Sequence, residues 1–71
     1  MVSKDDQAFR VKLGSKLRAA REGAGLTQAQ VAAKAGLNAN YYSIVERGED
    51  SLSVERLHRV MKVLGIKSDL L

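Results

Sequence analysis

The chain has no cysteine, no proline and no tryptophan, and its only aromatics are two tyrosines and one phenylalanine. Without cysteine there is neither a disulfide framework nor a thiolate metal site. Without proline, and with Ala and Leu abundant, the composition favours an all-α bundle. No apolar run approaches the ~18 residues that read as a membrane span. No signal-peptide pattern opens the chain, so a cytoplasmic location is expected. Internal repeats, low-complexity runs and heptads are absent. So are a nucleophile–base constellation and a glycine-rich phosphate loop, and neither catalytic residues nor a cofactor are expected. His58 is the single histidine. No second ligand is patterned near it, so it reads as an exposed or interface residue, and no metal is expected.

What is present is a chain of 71 residues with 12 Lys and Arg against 8 Asp and Glu, a net charge of +4. That length makes one domain, 1–71, near the lower limit for folding alone. A dimer interface is one remaining way to add buried area. The positive charge suits a polyanionic partner and equally suits plain solubility, so it supports a motif without making the case.

The motif runs from Leu26 to Gly48, LTQAQVAAKAGLNANYYSIVERG. Thr27 with Gln30 forms a capping box at the start of a helix. Val31, Ala32 and Ala35 share one face of that helix. Gly36 sits where it should end, because glycine adopts the left-handed conformation cheaply. Leu37 plugs the turn, and Asn38 caps a second helix that ends near Gly48. Two helices joined by a glycine-bearing turn of this length form a helix-turn-helix unit. At ~100° per residue the second helix turns Tyr42 and Val45 inward, with Tyr41 on the flank. Asn40, Ser43, Ile44 and Arg47 face the other way. A purely solvated face more often carries Glu and Lys. Asn can pair with adenine, Arg with guanine, and an aliphatic can touch a thymine methyl.

A first helix precedes this unit. Ser3 or Asp5 can cap it, and Asp5 and Asp6 suit its dipole. Phe9, Leu13, Leu17 and Ala20 form its apolar stripe, with Arg21 at the edge, and Gly23 and Gly25 stop it. A last helix follows, capped by Ser53. Val54, Leu57, Val60, Met61 and Leu64 form its inner stripe, Leu52 tucks into the core before it, and Gly65 ends it. Val63, Ile66, Leu70 and Leu71 have no obvious intrachain destination. With Arg59 they make a candidate dimer interface.

LTQ-x-x-VA, AGL and ERG at this mutual spacing resemble the Cro/repressor-type helix-turn-helix domain, also called the xenobiotic-response-element family. Leu17-Arg18-x-x-Arg21 before them and Leu57-x-x-Val60-x-x-x-Leu64-Gly65 after them fit as well. The resemblance spans about Leu13 to Ile66. Phage repressors, restriction-modification controller proteins and antitoxin-type autoregulators belong to that family. It implies a compact, lambda repressor-like bundle of four to five helices without a wing of strands. It also implies a non-enzymatic transcriptional regulator that binds a palindromic operator in double-stranded DNA as a homodimer and is nucleoid-associated through that binding. The alternative is an antitoxin-type module that docks a partner protein, unidentified by sequence, and binds DNA more weakly. By resemblance, Gln28, Tyr41 and Asn38 are DNA-phosphate positions. Ala39, Asn40, Ser43, Ile44 and Arg47 are base-facing positions, and Arg21 and Glu46 form a structural ion pair. Ala39 and Ile44 depart from the family pattern, which more often has Gln or Arg at the first and a small or polar residue at the second.

Overall fold

In a computed structural model, residues 4–67 are described, with side chains from Asp6 onward. The start of the chain and its last residues, Leu70 and Leu71 among them, lie outside the described residues, as does capping by Ser3; Asp5 is not the cap, because α1 already begins at Lys4. Four helices follow in order: α1 (Lys4–Gly23), α2 (Gln28–Ala35), α3 (Ala39–Glu46) and α4 (Val54–Leu64). No strand occurs among the described residues. None of these helices is long and apolar enough to cross a membrane.

The local chemistry accounts for the helix starts. The Thr27 hydroxyl accepts from the Gln30 N–H while the Gln30 side chain accepts from the Thr27 N–H. Asn38 accepts from the N–H groups of Asn40 and Tyr41, and Ser53 accepts from that of Arg56. These bonds satisfy donors that have no partner within the helix.

The helix ends share one device. The N–H groups of Leu26, Leu37, Glu49 and Ile66 donate to the carbonyls of Arg21, Ala32, Ile44 and Met61, at 3.1, 2.7, 3.1 and 2.9 Å. Each bond closes behind a glycine of positive φ, the Schellman closure. The residue after that glycine is thereby folded back over its own helix. Three of the four, Leu26, Leu37 and Ile66, pack against the core; the fourth, Glu49, is exposed.

That core consists of Leu17, Val31, Ala32, Ala35, Tyr42, Val45, Val60 and Leu64. α2 packs on α3 and α4, and α1 packs on α3 and α4. The Cα radius of gyration is 11.5 Å, close to the ~11 Å expected of a folded chain of this length. α1 therefore does not swing free as an extended arm.

Three expectations about apolar residues need correction. Phe9 is 64% exposed. It continues the Leu13–Leu17 stripe, but it lies more than a turn before Gly14, where α3 makes its close approach to α1. Val54 is 65% exposed. The buried stripe of α4 runs through Leu57, Val60 and Leu64 with Val63 on its other margin, and at ~100° per residue Val54 falls roughly 120° from Val60. Val63 and Ile66 are not spare: both are half-buried against the core. Ile66 is brought there by the closure at Gly65.

α1 and α3 meet through glycine. A Cβ built on Gly14 would stand 2.5 Å from the Glu46 carbonyl oxygen and 2.6 Å from that of Val45. One on Gly48 would stand 2.7 Å from the Val11 Cα. Backbone approaches this tight cannot be relieved by turning a side chain. Gly14→Ala is expected to push α1 away from α3 and to destabilise the chain by about 1–3 kcal/mol, as overpacking does. Thermal unfolding checks this, with Tm falling by ~4–8 °C per kcal/mol in a domain of this size.

Candidate nucleic-acid interface

The interface is built from behind. Arg21 leaves α1 at the edge of the apolar stripe and forms a two-pronged pair with Glu46 of α3, Nε to Oε2 at 2.7 Å and Nη2 to Oε1 at 3.1 Å. Its Nη1 donates to the Leu26 carbonyl at 2.9 Å, just ahead of α2. Gln28, the first residue of α2, donates from Nε2 to Glu46 Oε1 at 3.0 Å. One carboxylate thus gathers three helices. Its side chain is 2% exposed and that of Arg21 is 13%.

Burial by itself would raise the Glu46 carboxyl. The hydrogen bonds from Arg21 and then Gln28 outweigh it and hold the group below the usual carboxylate range. The same bond to Glu46, opposed by burial, raises the Arg21 guanidinium. The Tyr42 hydroxyl is buried beside this pair without a hydrogen bond of standard geometry. Burial first, and the adjacent carboxylate second, push its pKa up strongly.

This anchoring turns the other face of α3 outward. Asn40 and Arg47 are exposed, as are Asn38 and Ala39 at its start, while Ser43 and Ile44 are half-buried. Arg47 stands at the end of α3, its Nε 3.2 Å from the Glu49 carboxylate in an exposed pair. Such pairs contribute ~0–1 kcal/mol, so Arg47 can leave Glu49 at little cost.

Of the three residues assigned to phosphate by resemblance, Gln28 and Tyr41 make bonds within the chain. The Gln28 amide is held by Glu46. The Tyr41 hydroxyl donates to the Ser51 carbonyl at 2.6 Å, and its ring lies 5.9 Å below the Arg56 guanidinium. To donate to a phosphate the Tyr41 hydroxyl must exchange its bond, whereas the second N–H of the Gln28 amide is still free to donate. Asn38 uses only its carbonyl oxygen, on Asn40 and Tyr41, and keeps its amide N–H groups.

The proposed dimer patch is also partly drawn inward. Besides Val63 and Ile66, Arg59 turns back to donate from Nε to the Ala35 carbonyl at 2.9 Å, which closes the end of α2. Sequence pattern gives no hint of this bond, nor of the Gly14 contact, because both join residues more than twenty positions apart. His58 is half-buried. No cluster of His, Cys, Asp or Glu that could hold a metal ion occurs among the described residues.

Because Glu46 titrates lower in the folded chain than its ordinary 4.5, the stability it contributes is complete above that value. It is lost as pH falls through the folded value. Glu46→Gln is expected to lower stability at neutral pH by about 3 kcal/mol, by leaving Arg21 unpaired. The variant should also lose part of the acid dependence below pH 4.5. Denaturant unfolding of both proteins across that range measures the difference; parallel pH profiles would contradict it.

The helix-turn-helix domain family matches residues 12–71. The high-resolution crystal structure of the restriction-modification controller protein C.AhdI from Aeromonas hydrophila superposes with a TM-score of 0.81 at 35% identity, over 84% of this chain and 91% of that one. A search of curated proteins gave no match. The chain belongs to the helix-turn-helix domain family, of the Cro/repressor type, close to its small controller-protein members.

Proposed function

We propose that this protein is a sequence-specific transcriptional regulator that binds a palindromic operator in double-stranded DNA as a homodimer. The observation that carries this reading is the outward face of α3. It offers Asn40, Ser43, Ile44 and Arg47, bears no acidic residue, and is fixed by the Arg21–Glu46–Gln28 bonds behind it. A helix held so can be laid into a major groove with its start toward the base edges. The controller-protein likeness supports regulation rather than catalysis.

In this reading Gln28 and the start of α2, with Asn38 and Tyr41, position the chain on phosphates. Asn40, Ser43 and Arg47 read bases, and Ile44, beside Ala39, meets a thymine methyl. Binding to genomic fragments across salt concentrations tests the reading. Tight, salt-sensitive binding focused on one palindrome supports it; capture of a partner protein with no such binding supports the antitoxin-type alternative. Arg47→Ala should relax preference at one symmetric pair of positions, at about 1–3 kcal/mol of lost discrimination. A uniform loss of affinity would move Arg47 to the phosphate group.

One recognition helix reads too few base pairs to find a site in a genome. Two-fold pairing places two such helices ~34 Å apart. The interface we propose is the end of α4 and the tail, with Leu70 and Leu71 joining what Val63 and Ile66 leave exposed, and Arg59, turned back onto α2, is left out of it. Val63 packs on the core, so its replacement would confuse folding with pairing. Leu70→Asp with Leu71→Asp is the cleaner variant. Sedimentation should show a dimer for the wild type at high micromolar concentration and a monomer for the variant. A variant that still dimerises places the interface elsewhere.

A further inference from the structure

A shallow cavity of about 350 Å3 lies where the turn between α2 and α3 meets α4, lined by Gly36, Leu37, Asn38, Tyr41, Arg56 and Arg59. Its polar side chains are rich in donors. Arg59 is held at the wall by its bond to the Ala35 carbonyl, which uses Nε and leaves the terminal nitrogens uncommitted. Arg56, three residues earlier on the same helix, rests over the Tyr41 ring. That ring is itself tethered through its hydroxyl to Ser51. Asn38 directs its carbonyl oxygen into the start of α3 and so keeps its amide N–H groups for the cavity. Among the described residues, Arg18, Arg21 and Arg47 are each paired with a carboxylate, whereas Arg10, Arg56 and Arg59 are in no ion pair, and of these three only Arg56 and Arg59 line the cavity.

Two unpaired guanidiniums at this helical spacing lie ~5–6 Å apart at Cβ. Their flat forks suit two oxygens of one tetrahedral anion better than a point charge would. Position selects the anion. The cavity shares Asn38 and Tyr41 with the region that leads into the exposed outer face of α3, and backbone phosphates flank the base edges that such a face would meet. We infer that Arg56 and Arg59, with the Asn38 amide, clamp one DNA backbone phosphate beside the start of α3. The inference rests on the DNA-binding reading and adds to it two contact residues outside the helix-turn-helix unit itself. It also gives Tyr41 a definite part, as the platform that holds Arg56 in place.

Binding of the full chain to a mixed-sequence DNA duplex, measured across salt concentrations, tests the clamp. Arg56→Gln should reduce the slope of log affinity against log salt by about one and weaken all sequences by the same factor. Its Tm should be unchanged, because Arg56 is exposed. Arg59→Gln should reduce the slope alike but also lower Tm, since the Ala35 carbonyl loses its donor. An unchanged slope in Arg56→Gln overturns the clamp and leaves DNA binding intact. So does an equal loss of slope in Lys12→Gln, which lies outside the cavity. A wild type that does not bind DNA overturns both readings. Titration with inorganic phosphate distinguishes the source of the anion. Saturable micromolar binding that moves the Arg56 and Arg59 side-chain resonances overturns the assignment to DNA backbone, and the lack of it supports that assignment.

Discussion

The orientation of α3 depends on the pair between Arg21 and Glu46. An eight-residue helix is too short to be stable by itself, and α3 is that long. Its place must come from what it touches. Apolar contacts through Tyr42 and Val45 supply much of the attraction but little sense of direction, because burial is non-directional. The two parallel bonds from Arg21, with a third from Gln28 on the same carboxylate, admit few orientations. A well-packed apolar pair there could match or exceed the stability. It would not fix α1, the start of α2 and the end of α3 to one point.

The glycines complete this constraint. Gly14 lets the backbone of α1 come against the last carbonyls of α3, and Gly48 does the same from the α3 side at Val11. Arg21, seven residues or about two turns further along α1, reaches Glu46 across the same pair of helices. Small residues and ion pair are thus a single device: the first sets the distance, the second the angle. The helix ends show the same economy. Leu26, Leu37 and Ile66 follow their glycines into the core. At the end of α3 that place is taken by Glu49, which stays outside and faces Arg47. The chain therefore keeps its apolar plugs away from the face that carries Asn40 and Arg47.

What could be read from the sequence was mostly local. Thr27 with Gln30, Asn38, Ser53, Gly36 and Gly65 announce helix starts and stops through bonds that span a few residues, and the four helices and their turn follow from them. The core of the helix-turn-helix unit was legible too, because Val31, Ala32, Ala35, Tyr42 and Val45 keep a strict helical period. The misplaced residues failed in different ways. Periodicity gives the face a side chain shares but not whether another element lies opposite, and none of the described elements covers Phe9. Val63 and Ile66 fail in the opposite sense: the stripe of α4 is turned toward Val63, and a closure at Gly65 folds Ile66 inward. Arg59 shows the limit most plainly. Its bond to Ala35 joins two helices, and no local pattern signals it.

These placements bear on assembly. With Val63 and Ile66 half-buried in the core, the apolar area left for pairing is smaller than the sequence suggests, and Arg59 is partly spent on α2. A small patch supports a weak dimer, since area removed from water sets much of the gain and association itself costs freedom of motion. On the proposed reading this weakness has a consequence. When two weakly paired subunits must sit on one palindrome, occupancy rises more steeply than in proportion to protein concentration. Occupancy of the operator would then track the protein's own abundance. On that reading the anchored α3 would set where the protein binds, and the loose interface would set when.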